Sequence, residues 1–333
     1  MKTACVTGIT GQTGSYLAEL LLNKGYKVYG LIRRSSVFTT ERIDHIFENK
    51  NLVLQYGDLA DTLSIINFVT EAKPDLFFNL AAQSHVKVSF DIPEYSFDID
   101  GTGVIRCLEA IRKYSPNTRF LQASSSELFG STPPPQSEAT PFHPRSPYAV
   151  AKCAAYWAIV NYREAYNMFA VNSVSFNHES ERRHETFVTR KITRAATRIK
   201  LGLQDKLILG NLDAKRDWSH AQDVVSGMYA IINADEPKDY VIASGESHSV
   251  KKFCEIVFSK LGMNYQDYVE FDPRYLRPSE VAHLCGDPSK IKQDLGWKPN
   301  YSFEDLVQRM VDSDLKIAEK EKLIQQSHSQ YTV

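Results

Sequence analysis

Tyr148 and Lys152 stand four residues apart in Tyr148-Ala149-Val150-Ala151-Lys152, a spacing that puts both side chains on one helix face. A phenol with an ordinary pKa near ~10 is a poor base at neutral pH, and an ammonium beside it stabilises the phenolate. Such a pair can take the proton of a hydroxyl group. Upstream, the strand-like Arg119-Ala123 runs into Ser124-Ser125-Ser126-Glu127. The Ser125 hydroxyl can bond a substrate hydroxyl during oxidation and the carbonyl oxygen afterwards. Glu127 separates the reactions open to such a site. A dehydrogenase or 4-epimerase needs no second base, whereas loss of water across C5 and C6 of a hexose needs a group that removes the C5 proton and protonates the departing hydroxyl. The alternative for Glu127 is a helix N-terminal acid stabilised by the dipole.

A second constellation lies at the start of the chain. Gly8-Ile9-Thr10-Gly11-Gln12-Thr13-Gly14 follows a strand-like Ala4-Cys5-Val6 and opens a helix, the context in which glycines permit a tight turn and close approach of a pyrophosphate to free N–H groups. The second strand ends at Ile32 and is followed by Arg33-Arg34-Ser35-Ser36. An NAD site usually carries an acid there for the ribose 2′-hydroxyl; two arginines and two hydroxyls complement a 2′-phosphate instead, so NADP is the expected cofactor. Asp58, after the third strand, is a candidate partner for the adenine amino group, and Leu80-Ala81-Ala82-Gln83-Ser84 ends the fourth strand with residues small enough for the cofactor to pass. Further along, Asn177-His178-Glu179, Val188 and Lys191, Lys215-Arg216 and Arg277 to Glu280 offer cations for a diphosphate and polar groups for a base.

These groups need a frame. Ala4-Thr7, Lys27-Ile32, Leu52-Tyr56, Leu76-Leu80, Arg119-Ala123 and Ala170-Phe176 read as buried strands; Tyr16-Lys24, Thr62-Ala72, Val104-Tyr114 and Tyr148-Tyr166 have helical periodicity between them. The alternation predicts an α/β fold, a Rossmann-type doubly wound parallel sheet, with a smaller C-terminal α/β substrate-binding lobe. Residues 1–178 form the expected cofactor domain and 179–333 most of the second lobe, with segments near 211–233 returning to the first. In the lobe, Thr186-Gly202 and Val250-Leu261 are helix-like, and the chain after Glu321 is expected to fray.

A 43% hydrophobic and 24% charged composition over 333 residues is that of a globular protein with room for a core. The net charge of -1 gives no long-range attraction to nucleic acid or an anionic membrane. Five scattered cysteines without a CxxC pair and no leader-like or membrane-spanning run suggest reduced thiols and a cytoplasmic location. None of the nine histidines stands at metal-ligand spacing, so no metal is expected.

With these residues in place, the chain resembles the GDP-mannose 4,6-dehydratases over nearly its whole length. The carriers are Gly8 to Gln12, Arg33 to Ser36, Asn79 to Ser89, Pro144 to Lys152, Asn177 to Ser180, Glu185 to Lys191 and Lys215 to Trp218. The resemblance implies catalysis by Ser125, Glu127, Tyr148 and Lys152. It implies NADP held by residues 8 to 13, Arg33 to Ser36, Asp58, Leu59, residues 80 to 84, Tyr95, Lys152, His178 and Arg183. For the GDP-sugar it implies Asn177, Val188, Lys191, Arg216, Arg277 and Glu280, to which the reading of the cleft adds Ser84, Glu179, Ser125, Glu127 and Tyr148. It also implies a homo-oligomer, tetramer or dimer, with the Arg33–Ser36 loop at a subunit contact. The family usually has Asp at 13, Thr at 125, Pro at 181, Gly at 184 and Gly at 219, where this chain has Thr13, Ser125, Glu181, His184 and Ser219. Glu181 and His184 are expected beside the sugar or nicotinamide, which leaves open a related GDP-sugar such as a GDP-heptose; a nucleotide-sugar 4-epimerase or reductase is the other alternative.

Overall fold

Short apolar runs rich in Val, Leu and Phe form the central sheet because both of its faces are covered. In the computed structural model, which describes residues 1–330, β1 (Thr3–Thr7), β2 (Lys27–Ile32), β3 (Leu52–Tyr56), β4 (Leu76–Asn79), β5 (Arg119–Ser125) and β6 (Ala170–Ser175) pair in parallel. With a later strand, β11 (Tyr240–Ile242), on its edge, the sheet has the order β11-β6-β5-β4-β1-β2-β3. The order reverses between β1 and β4, which opens a crevice at their carboxyl ends.

Two apolar layers hold the helices to this sheet. On one face, α1 (Gln12–Asn23) and α8 (Ala221–Ile232) bury Leu17, Leu21, Val224 and Met228 against Val6, Phe78 and Leu121. On the other, α2 (Thr62–Ala72), α5 (Gly103–Tyr114) and α6 (Pro147–Tyr166) bury Phe68, Leu108, Ile111 and Ile159 against Cys5, Phe77 and Phe120. Two short helices, α3 (Val86–Asp91) and α4 (Pro93–Phe97), lead through a π-helical turn over Asp98–Thr102 into α5.

Past β7 (Asn177–Glu179), a separate core gathers α7 (Val188–Lys200), α9 (Val250–Lys260) and α11 (Phe303–Gln330) around Trp218, Phe253, Phe258 and Met310. Small strand pairs complete this part: β8 (Leu207–Leu209) with β13 (Val269–Phe271), β9 (Lys215–Arg216) with β12 (His248–Ser249), and β10 (Trp218–His220) with β7. One more helix, α10 (Ser289–Leu295), packs Ile291 under α8.

Sequence periodicity locates the six main strands to within a residue or two but misses β11, a run of three residues flanked by polar loops. It also leaves α8, α10 and α11 unmarked. The chain past Glu321, where fraying is expected, continues as α11 to Gln330, with Glu321 bridged by Arg194 at 2.8 Å and by Arg198. Residues 331–333 lie outside the described ones. No helix among the described residues is long and apolar enough to cross a membrane.

Candidate active site

The carboxyl ends of β1, β4, β5 and β6 open onto a cleft of about 810 Å³, roofed by the segments around α7 and Tyr275–Glu280. At its floor, β5 delivers Ser125 and then turns sharply through a 3-10 turn, Ser126–Leu128, in which Ser125 Oγ accepts the Glu127 N–H at 3.2 Å. The turn buries Glu127, whose side chain is 8% exposed, rather than presenting it to solvent. Its carboxylate meets Arg277 Nη1 at 3.5 Å. Arg216, also buried, feels the Glu127 charge.

Opposite Glu127, α6 begins at Pro147 with Ser146 as its cap, Oγ accepting from Ala149 N at 3.1 Å. Capping and a proline in the first turn fix the helix start, and that placement brings Tyr148 and Lys152 to the cleft. Lys152 Nζ donates to Ala123 O at 3.0 Å and stands 5.8 Å from the Tyr148 ring centre. Burial raises the Tyr148 pKa, with the Asp100 charge adding to it; the hydrogen bond with Ser125 pulls it back down. Burial lowers the Lys152 pKa, and Asp100 opposes that fall.

The glycine loop sits at the other end. Gly8 has φ +66, and a Cβ there would lie 2.8 Å from Ala81 N, so only glycine lets β1 and β4 turn this closely together. A Cβ on Gly14 would lie 2.2 Å from Gly8 O. α1 starts behind Gly11 with no side-chain cap and no acid in its first turn, which leaves its first N–H groups to face an anion. A dinucleotide pyrophosphate fits that open helix end. Gln12 and Thr13 tie the loop to β7: Gln12 Nε2 donates to His178 O at 2.9 Å, Ser180 Oγ donates to Gln12 Oε1 at 2.7 Å, and Thr13 Oγ1 lies 2.8 Å from His178 Nε2.

The cleft lining includes Gly8, Gly11, Gln12, Thr13, Gly14, Leu80, Ala82, Ser84, His178 and Arg183 of the expected cofactor residues, and all of the expected substrate residues. Others face elsewhere. Ile9 and Leu59 are core residues, Ala81 packs on the helix layer, and Gln83 spends its amide on Ser96 Oγ and His85 O. Thr10 does not line the cleft. Asp58 Oδ1 accepts from Ala60 N. Arg33 donates to Tyr95 Oη at 3.0 Å on the exposed rim, while Arg34 bonds the Ser35 carbonyl and Ser36 is exposed.

Glu181 and His184 do not adjoin the floor of the cleft. Glu181 lies 3.6 Å from His220 and 3.3 Å from Arg309, on the α11 side, and His184 is exposed with Thr186 Oγ1 as its partner at 3.0 Å. Past Ser180 the chain sends Glu181 toward the start of α8 and α11 and Arg182 toward Glu19 on α1, while Arg183 returns to the cleft and His184 stays at the surface. Residues not singled out by sequence reasoning also line the cleft, among them Lys87, Asn211 and Tyr275. Lys191 Nζ sits 3.8 Å and Lys87 Nζ 5.6 Å from the Tyr275 ring centre. Tyr275 comes two residues before the Arg277 to Glu280 stretch, and Lys87 falls inside the Asn79 to Ser89 string, where no role is read for it.

A glycine loop at the switch point of a doubly wound sheet, with a tyrosine and a lysine one helical turn apart at the ends of β5 and β6, defines an extended short-chain dehydrogenase/reductase-type protein. Residues 5–310 match the model of the family described as GDP-mannose 4,6 dehydratase. GDP-mannose 4,6 dehydratase 2 of Arabidopsis thaliana is 57% identical, with 97% of this chain and 89% of that protein covered. GDP-mannose 4,6 dehydratase of Homo sapiens is 49% identical over 95% of this chain and 92% of that one. The chain belongs to the GDP-mannose 4,6-dehydratase family. Among solved structures, dTDP-glucose 4,6-dehydratase of Bacillus anthracis, in complex with NAD, shares the fold with a TM-score of 0.84, 22% identity and coverage of 96% and 98% of the two chains.

Proposed function

We propose that the chain is a hydro-lyase that converts GDP-mannose to GDP-4-keto-6-deoxymannose with a tightly held NADP. The observation that carries this reading is the buried Glu127 carboxylate in the same cleft as Tyr148 and Lys152. A bound nicotinamide would accept hydride from C4 of the sugar and return it to C6, ending the turnover unchanged. Tyr148, as phenolate beside the Lys152 ammonium, takes the proton of the 4-hydroxyl, and Ser125 steadies that oxygen. The new ketone acidifies C5–H. Glu127 removes the C5 proton and passes it to the 6-hydroxyl, which leaves as water; C5 takes a proton back from solvent as the double bond is reduced, balanced by release to solvent of the proton that Tyr148 took from the 4-hydroxyl. Arg277 Nη1 contacts the Glu127 carboxylate and so orients it within the cleft.

The division of labour follows the two cores. Residues 1–178, with α8 and β11, hold the cofactor, and most of 179–333 holds the GDP portion through Asn177, Val188, Lys191, Arg216, Arg277 and Glu280. Arg33 to Ser36 select the 2′-phosphate from the exposed rim, with Tyr95 positioning Arg33. A cytoplasmic homo-oligomer, a tetramer built partly on this rim, completes the proposal.

The test is Glu127→Gln with GDP-mannose and product mass as the readout. Removing one proton carrier costs about 10²–10⁴-fold in turnover, with cofactor binding retained. Wild-type product that has lost one water supports the reading; a product of unchanged mass would point to a 4-epimerase, and normal turnover by Glu127→Gln would remove Glu127 from the mechanism.

A further inference from the structure

Several of the charges that line the cleft are matched within the protein. Arg277 meets Glu127 at 3.5 Å, Arg183 meets Glu179 at 3.1 Å, and Glu185 is taken by Arg194 at 2.8 Å. Two cations in the lining are not matched. Lys87, on α3 of the cofactor side, and Lys191, on α7 of the lobe, have no ion-pair partner among the described residues. Each donates to one backbone carbonyl, Lys87 to Arg274 O and Lys191 to Ile208 O at 2.7 Å, although an ammonium has three N–H bonds to place. Both ammoniums stand by the Tyr275 ring, whose centre is 3.8 Å from Lys191 Nζ and 5.6 Å from Lys87 Nζ. Burial lowers the Lys191 pKa and the Lys87 charge lowers it further, the mark of two like charges brought together. Asp272 feels the Lys87 charge but is already paired with Arg274 at 2.6 Å and accepts the Arg274 N–H at 2.8 Å.

The ring that the lysines share is set by backbone contacts. Asp272 N donates to Leu209 O at 2.9 Å, and a Cβ on Gly210 would stand 3.0 Å from Tyr275 O, so this segment packs tightly on the end of β8. Two positive charges with N–H bonds to spare, one from each half of the molecule, make a receptor for an anion that carries more than one charge.

We propose that Lys87 is a further substrate-binding residue, which with Lys191 holds the diphosphate of a nucleoside diphosphate sugar. The inference rests on the reading of the cleft as a GDP-sugar site and adds to it a contact from the cofactor side. A diphosphate between the ammoniums relieves their repulsion. Because α3 packs on α6 while α7 belongs to the lobe core, the same anion draws the two halves together over the sugar. The bond from Lys87 to the Arg274 carbonyl uses one N–H and leaves two for phosphate oxygens. A nucleoside without phosphates gains nothing from this pair, so Lys87 selects for the activated form of the substrate.

Lys87→Met in the full chain is the test, because methionine keeps much of the apolar stem and removes the charge. Calorimetric titration with GDP and with guanosine is run beside steady-state kinetics on GDP-mannose. GDP should bind about tenfold more weakly, the order of one charge-assisted hydrogen bond at a partly exposed site, and guanosine as before. The loss on GDP-mannose should fall in KM rather than in kcat. Added salt should weaken GDP binding by the wild type more than by the variant, and Lys87→Arg should recover most of the affinity. Equal weakening of GDP and guanosine would overturn the proposal, since the side chain would then only shape the cleft. Unchanged GDP binding would overturn it as well. Should Lys87→Met not fold, Lys87→Gln is judged by the same two ligands. A wild type that does not bind GDP would instead overturn the reading of the cleft on which the inference rests.

Discussion

At the scale of single residues, the imidazole of His178 is held between two fixed partners. Nδ1 lies 2.9 Å from Phe176 O, so that nitrogen carries the hydrogen, and Nε2 is left to accept from Thr13 Oγ1. Burial lowers the His178 pKa to about 4, against the Phe176 hydrogen bond and with help from Arg183. A histidine whose folded pKa lies below its unfolded value near ~6.5 contributes stability that is complete above that value and lost as pH falls toward the folded one. The contribution is up to about 3 kcal/mol. Urea unfolding at pH 7.5 and at pH 4.5 should therefore show a wild type that weakens on acidification and a His178→Gln variant that weakens less by about that amount; equal acid sensitivity would remove His178 from the account. Legibility at this scale follows sequence distance. Tyr148, Lys152, Ser125 and Glu127 can be read because helix spacing and a strand end place them locally. Thr13 and His178, 165 positions apart, meet only through the fold. Asp100 carries no motif, and only the π-helical turn brings it against α6.

Helices and strands were readable where burial imposes a period. The six long strands show as apolar runs, whereas β11 is three residues long and borrows its place from β6. The later turns of α11 could not be read in the same way: Phe303, Leu306, Val307 and Met310 pack its start into the lobe core, but the contacts that hold it further along are largely polar. Arg190 on α7 donates to Asp314 Oδ1 at 2.7 Å and Oδ2 at 2.9 Å, Thr193 Oγ1 donates to Oδ2 at 2.6 Å, and the Arg190 guanidinium also holds the carbonyls of Glu181 and Arg183. One buried pair thereby joins α7, α11 and the segment leading from β7 into the cleft. Removing one member leaves the other charge buried and unpaired, which typically costs about 3–5 kcal/mol. Asp314→Ala should lose that much in chemical denaturation, and Asp314→Asn, which still offers an oxygen, should lose less. Because Arg183 lines the cleft, the Ala variant should also bind cofactor more weakly while it remains folded. A change confined to stability would mean that the pair supports α11 alone.

For the molecule as a whole, the proposed assembly and the proposed cofactor preference share one place. Val37 and Phe38 are strongly exposed, Phe38 fully so, immediately after Arg33 to Ser36 on the rim where Arg33 meets Tyr95. A single exposed aromatic is unremarkable, but this one ends the segment expected to recognise a 2′-phosphate, and a loop with two adjacent arginines needs something to hold it. A neighbouring subunit packed over Val37 and Phe38 would order the arginines and so couple oligomer size to affinity for NADP over NAD. Net charge of -1 means that no general electrostatic pull supplies that preference, which leaves it to local groups. Phe38→Asp should therefore produce a smaller species in sedimentation velocity and weaken NADP binding by about tenfold, the order of one lost charge-assisted contact, with NAD binding little changed. A variant that sediments and binds as the wild type does would separate the rim from the assembly. One that dissociates yet keeps its full preference for NADP would show that Arg33 and Arg34 are held by their own chain.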